Sequence, residues 1–189
     1  MVSALEIPSI RRQAVPISVA TYHGMAKHGL VAENVELIRG VIVEKMPRSS
    51  LHSVLTDELR SRFEKGLPGY WVRMEQPLTL ADSEPEPDIS VVPGDRWSYR
   101  LSHPTTAILV VEVAVTSAEI DREKGRLYAE AGVTEYWIVL AEEGAVEVHT
   151  GAARSGWKNM RLFKAGEDIQ STALPQVIVP HAALFPSVA

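Results

Sequence analysis

Two acids and a lysine, Asp88, Glu112 and Lys124, carry the chemistry that this chain can do. Glu112 sits inside the most hydrophobic stretch of the sequence, residues 107–115, which reads Ala-Ile-Leu-Val-Val-Glu-Val-Ala-Val. That run is apolar on both alternating faces, so it predicts a central strand buried from both sides. An unpaired ionised carboxylate in such a core is strongly destabilising, so Glu112 must meet a cation, take a proton or bind a metal. Asp88 opens a second short apolar strand, residues 88–92, behind the lead-in Glu84-Pro85-Glu86-Pro87. Prolines there set an extended entry and are tolerated at the first residue of a strand. Carboxylates on consecutive strands offer hard oxygen ligands for Mg²⁺ or Mn²⁺ and leave positions for water and a phosphate oxygen. With an inward lysine beside them, the implied chemistry is metal-dependent attack on a phosphodiester.

The lysine is placed by a helix. From residue 118 to 131 the spacing is helical, with Thr116 and Glu119 at capping-box separation and Gly132 as the stop. On its wheel Ile120, Leu127, Tyr128 and Ala131 share a face, and Lys124 falls in the middle of it. A strand at 135–140 follows, so strand, helix and strand form a crossover that brings the helix back over the Glu112 strand. Upstream, residues 18–27 predict a short helix ended near Gly29, and residues 35–45 a hairpin turning at Arg39-Gly40, with Glu36 on its first strand. Residues 50–65 predict a longer helix from the recurrence of Leu51, Val54, Leu55, Leu59 and Phe63, with Ser49 or Ser50 as cap and Gly66 and Pro68 as stop. Residues 70–74 read as a strand that could run past Pro77 to Leu80. Segments at 146–150, 160–163 and 176–179 extend the sheet or form a small antiparallel annex. The expectation is a mixed α/β layer in a single domain spanning 1–189, without an internal repeat.

Composition narrows the function classes. With no cysteine, the chain has no disulfides, thiolate zinc sites or cysteine nucleophile, and its six histidines lack helical metal-ligand spacing. Apolar runs fall far short of the ~18 residues that cross a bilayer. Residues 1–12 lack the basic, apolar and small-residue order of a secretory signal, so the expected location is cytoplasmic, with no membrane partner. A net charge of −5 argues against coating nucleic acid by bulk electrostatics. The local pairs Lys45/Arg48, Arg96/Arg100 and Arg122/Arg126 could still line a cleft once divalent cations fill an acidic site.

The stretch Glu86-Pro87-Asp88, then Val110-Val111-Glu112-Val113, then Asp121-Arg122-Glu123-Lys124 with Leu127 to Val133 and Glu135-Tyr136-Trp137, resembles the restriction endonuclease family of Uma-two type. That family is placed in the PD-(D/E)xK nuclease superfamily. The likeness extends to Glu36-Leu37-Ile38-Arg39-Gly40, to His52 and to Leu184-Phe185, so it covers most of the chain. It implies a restriction-endonuclease-like mixed sheet core flanked by helices, with an N-terminal hairpin and C-terminal antiparallel additions. It also implies an endonuclease whose metal is held by Asp88, Glu112 and the Val113 carbonyl, with Lys124 as the catalytic lysine and Glu36 as an accessory acid. DNA is the expected partner. Because cutting both strands of a duplex asks for two active sites, a homodimer is expected as well. The sequence departs from the superfamily at Ala114, where the lysine often stands two residues after the strand glutamate, so Lys124 reads as a migrated lysine. His52, a lone histidine at a helix start, reads as structural. Two rivals stay open: a catalytically inactive DNA-binding or protein-interaction domain that keeps the fold, and a structural Glu112–Lys124 ion pair in a protein of unrelated function.

Overall fold

The computed structural model describes residues 6–186. The leading part of the 1–12 segment, and the last three residues of the 1–189 span read as one domain, lie outside the described residues. The chain forms two compact units, Met1–Lys45 with Ala81–Glu84, and Met46–Leu80 with Pro85–Ala189. Among the described residues no helix is long and apolar enough to cross a membrane.

The first unit contains the short helix α1 (Pro8–Arg11), the helix α2 (Val19–Lys27) and the antiparallel hairpin of β1 (Val35–Ile38) with β2 (Val41–Glu44). Ser18 caps α2 by accepting the Thr21 amide at 3.1 Å. The hairpin turns at Arg39 and Gly40, which take φ of 51° and 74°, the left-handed pair that a two-residue loop requires. A side chain at Gly40 would run into Pro16, so glycine is needed there for space as well as for φ. Residues 81–84 close the unit: the Glu84 amide donates to the Leu37 carbonyl at 2.7 Å, and its carboxylate meets His23 at 2.6 Å.

The second unit is built on helix α3 (Ser50–Gly66), strands β3 (Tyr70–Met74), β4 (Ile89–Pro93) and β5 (Leu109–Ala114), and helix α4 (Ala118–Glu130). Strands β6 (Glu135–Leu140), β7 (Ala145–Ala153), β8 (Gly156–Phe163), β9 (Asp168–Gln170) and β10 (Ile178–Pro180) follow, and helix α5 (His181–Leu184) ends it. Strands β3 to β8 form one six-stranded sheet in chain order, in which only β5 and β6 are parallel, joined by α4 as the expected crossover. The late segments divide as follows: β7 and β8 extend the sheet, while β9 and β10 form the two-stranded annex. On one face Leu55, Leu59 and Phe63 of α3 pack on Leu109, Val111, Val113, Trp137 and Val139, with Phe63 edge-on to Trp137 at 5.8 Å. Each such fully buried side chain stabilises the fold by roughly 1.5–3 kcal/mol. By strand alternation Val110, Glu112 and Ala114 turn to the opposite face, which α4 covers.

Four expectations need correction. Leu51 and Val54 of α3 are exposed, Val54 at 65%, because the buried stripe begins only at Leu55. Strand β3 stops at Met74: Glu75 takes a left-handed φ of 50°, and the buried Arg73 guanidinium donates to the Pro77 carbonyl at 3.0 Å, turning the chain back. Burial lowers the Arg73 pKa to about 10. In α4 the N-cap is Ser117, not Thr116, and its hydroxyl goes to the Asp121 carboxylate at 2.6 Å, so no capping box forms. Ile120 is 54% exposed, and Gly125 takes its place against the sheet. A Cβ on Gly125 would lie 2.9 Å from the Tyr136 ring, so its absence lets α4 approach. There the Tyr136 hydroxyl reaches the Asp121 carbonyl and Trp157 Nε1 the Gly125 carbonyl, both at 2.8 Å.

An ion pair, Arg122 with Glu147, holds α4 on its β7 side. The Glu147 carboxylate accepts from Arg122 at 2.5 Å and contacts His149 Nε2 at 3.1 Å. Burial pushes the Glu147 carboxyl up, but the bonds from Arg122 and His149 outweigh it and hold it below its usual value. His149, beside the Tyr136 and Trp157 rings, is lowered by burial, an effect that Glu147 opposes. A group whose folded pKa is lowered contributes stability above its unfolded value and loses it as pH falls through the folded one. Acidification therefore lowers the stability of the fold through His149, whose proton the unfolded chain binds more readily, starting near the ordinary histidine value of 6.5. The melting temperature of the wild type should fall more between about pH 7 and pH 5 than that of His149→Phe. Parallel curves for the two proteins would show that His149 takes no part.

Candidate active site

Glu112 and Asp88 meet where β4 and β5 part. The last β4–β5 pair joins Ile89 to Val111, so Asp88 lies just before the strand rather than in it, and Val113 is past the end of the ladder. The Asp88 carboxylate fills that gap, its Oδ2 accepting the Val113 amide at 2.7 Å. In return the Asp88 amide donates to Glu112 Oε2 at 3.2 Å. Each acid is thus bound to backbone beside the other.

Glu112, only 4% exposed, has the partners that its burial demands. Tyr128 donates its hydroxyl to Oε1 at 2.7 Å, and the Lys124 ammonium lies 3.6 Å from the same oxygen with 12% of its side chain exposed. Both come from one face of α4, since residues four apart on a helix stand over each other. Lys124 therefore reaches Glu112 from the helix, while Ala114 occupies the position two residues on. On the other side, His52 Nε2 sits 3.0 Å from Asp88 Oδ1. This hydrogen bond raises the His52 pKa against the opposing effect of burial. Next to it Arg48 pairs with Glu75 at 2.7 Å, and the Glu75 amide donates to the Pro87 and Asp88 carbonyls. Negative charge is concentrated here: the buried Tyr136 hydroxyl is raised well above its usual pKa, first by burial and then by Glu112, Asp121, Asp88 and Glu147.

The sequence-predicted residues Asp88, Glu112, Val113 and Lys124 thus lie together in the second unit. Glu36 belongs to the first unit, buried on β1 opposite Val43. Of the basic pairs, Arg122 and Arg126 hold Glu147 and Glu123, and Arg100 bonds to the Trp97 carbonyl. Sequence reasoning undervalued two residues. His52 follows Ser49 at capping distance, which fixes it in the first turn of α3, and Tyr128 stands four residues after Lys124. That spacing marked the tyrosine as a partner of whatever the lysine reaches.

Among the described residues no group of three or more His, Cys, Asp or Glu side chains is arranged to hold a metal ion. The donors brought together are the carboxylates of Asp88 and Glu112, with Val113 beside them on β5. These fit Mg²⁺ or Mn²⁺, since Mg²⁺ commonly takes one or two protein carboxylates and fills its other positions with water and phosphate.

The family model of Uma2, described as "Putative restriction endonuclease", matches residues 22–182. The chain belongs to the Uma2 family. The match covers the N-terminal hairpin, both site acids and the α4 lysine. Uma2 membership agrees with the fold, because a solved structure of "a putative nuclease" from Anabaena variabilis superposes with a TM-score of 0.72. At 16% identity, covering 90% of this chain and 98% of that one, the likeness is one of fold. A comparison with curated proteins gave no match.

Proposed function

We propose that this Uma2 chain is a metal-dependent endonuclease that hydrolyses phosphodiester bonds in DNA. The observation that carries this reading is the meeting of Asp88, Glu112 and Lys124 at the open end of two central strands. Family membership and the shared fold support it. Asp88, Glu112 and the Val113 carbonyl would hold Mg²⁺ or Mn²⁺, which when bound polarises the phosphate and lowers the pKa of a coordinated water. The chain's own residues do the rest. Tyr128 fixes the Glu112 carboxylate, and the Val113 amide fixes that of Asp88, so neither acid must be ordered when substrate arrives. Lys124 orients the attacking water or stabilises the charge that develops on the pentavalent phosphorus. Two copies of the chain would serve the two strands of a duplex.

Lys124→Ala should reduce the turnover of supercoiled plasmid by roughly 10²–10³-fold, with substrate affinity little changed, as expected for a group that acts in the transition state. Equal losses in kcat and in affinity would assign Lys124 to phosphate binding alone. Unchanged turnover would favour the structural ion pair, in which Lys124 only neutralises Glu112.

A further inference from the structure

We infer that His52 is a positioning residue that holds the Asp88 carboxylate in the orientation its cation needs, an inference that rests on the metal-site reading above. Asp88 is tied at both oxygens: Oδ2 to the Val113 amide at 2.7 Å and Oδ1 to His52 Nε2 at 3.0 Å. With only the backbone bond, the carboxylate could still rotate about its bond to Cβ. The second contact, from a different element, removes that freedom and leaves one outward lone pair on each oxygen.

His52 has no other visible task for its ring. Its Nδ1 is buried with no hydrogen-bond partner among the described residues, a cost that an apolar residue of similar size would avoid. The backbone of His52 is nevertheless held at both ends: its amide goes to Ser49 Oγ at 3.1 Å, and its carbonyl accepts from Thr56 Oγ1 at 2.8 Å. A residue so fixed, carrying one unpaired ring nitrogen and aiming the other at Asp88, is explained by that single contact. Groups that orient a metal-binding carboxylate in this way commonly change metal affinity on removal by roughly 10–100-fold.

The test uses the full chain with Mn²⁺ alone as probe, its binding followed by electron paramagnetic resonance. His52→Leu should bind Mn²⁺ roughly 10–100-fold more weakly than wild type while melting no lower, because it also removes the unpaired Nδ1. His52→Gln places an amide nitrogen near the position of Nε2 and should recover most of the affinity, whereas His52→Asn is too short and should not. If His52→Leu does not fold, the contrast between glutamine and asparagine decides. Wild-type affinity in His52→Leu or His52→Asn, with Asp88→Asn strongly impaired, would overturn the role of His52 and leave the metal site standing. Wild-type affinity in Asp88→Asn would instead remove the metal-site reading itself, and this inference with it.

Discussion

Replacing Glu112 by glutamine should abolish metal-dependent cleavage of plasmid DNA while the protein remains folded. The amide is nearly isosteric but lacks the charge that would hold a divalent ion beside Asp88. Stability should fall too. Crowded acids alone would leave the variant as stable as wild type or more so, since removing one charge relieves repulsion. The donors around Glu112 reverse that sign: Tyr128, Lys124 and the Asp88 amide all point at its two oxygens. A glutamine offers one acceptor oxygen and turns an NH2 group toward a donor, which costs about 1–3 kcal/mol. Plasmid nicking with and without a chelator, beside a melting curve, measures both effects. A variant that cuts as fast as wild type, where the wild-type reaction is chelator-sensitive, would remove Glu112 from the mechanism. A stability loss with Mn²⁺ affinity unchanged would favour the structural ion pair.

The second large effect is expected far from this chemistry. Glu135, fully buried at the start of β6, accepts from Trp137 Nε1 at one oxygen. Its other oxygen takes the Thr172 amide at 2.8 Å, the Thr172 hydroxyl at 2.7 Å and the Ala173 amide at 2.8 Å. The carboxylate thereby ties the loop before β10 to the central sheet. Glu135→Ala strands these donors in the interior, where each unsatisfied group costs about 1–3 kcal/mol, so a loss on the order of 3 kcal/mol is a conservative expectation. For a chain of this length that corresponds to a melting temperature lower by roughly 6–12 °C. Thermal unfolding of the purified variant measures it, and a shift within about 2 °C of wild type would mean that water or other groups satisfy the donors.

Glu135 also shows what the sequence could and could not reveal. The order of strands and helices was legible because the apolar runs are long, and because punctuation such as Ser49, Arg39-Gly40 and Gly132 has a local mechanism. The buried acid Glu112 announced itself by its surroundings, and the helical wheel placed Lys124 on the side that meets it. The wheel erred at Ile120, since the axis of α4 is set by the close approach at Gly125, which depends on Tyr136 and Trp157 across the sheet. Hydrophobicity likewise overextended β3, whose end is made by the left-handed Glu75 and the buried Arg73. The partner of Glu135 lies 37 residues away in the chain, and that of His52 lies on another element, so neither spacing nor composition could point to them.

The central claim is that Asp88 and Glu112 form one divalent-metal site. Calorimetric titration of Mg²⁺ and Mn²⁺ into the wild type, Asp88→Asn and Glu112→Gln tests it most directly. The account predicts a site in the wild type that weakens strongly in both variants; no binding to the wild type, or equal binding to all three proteins, would contradict it.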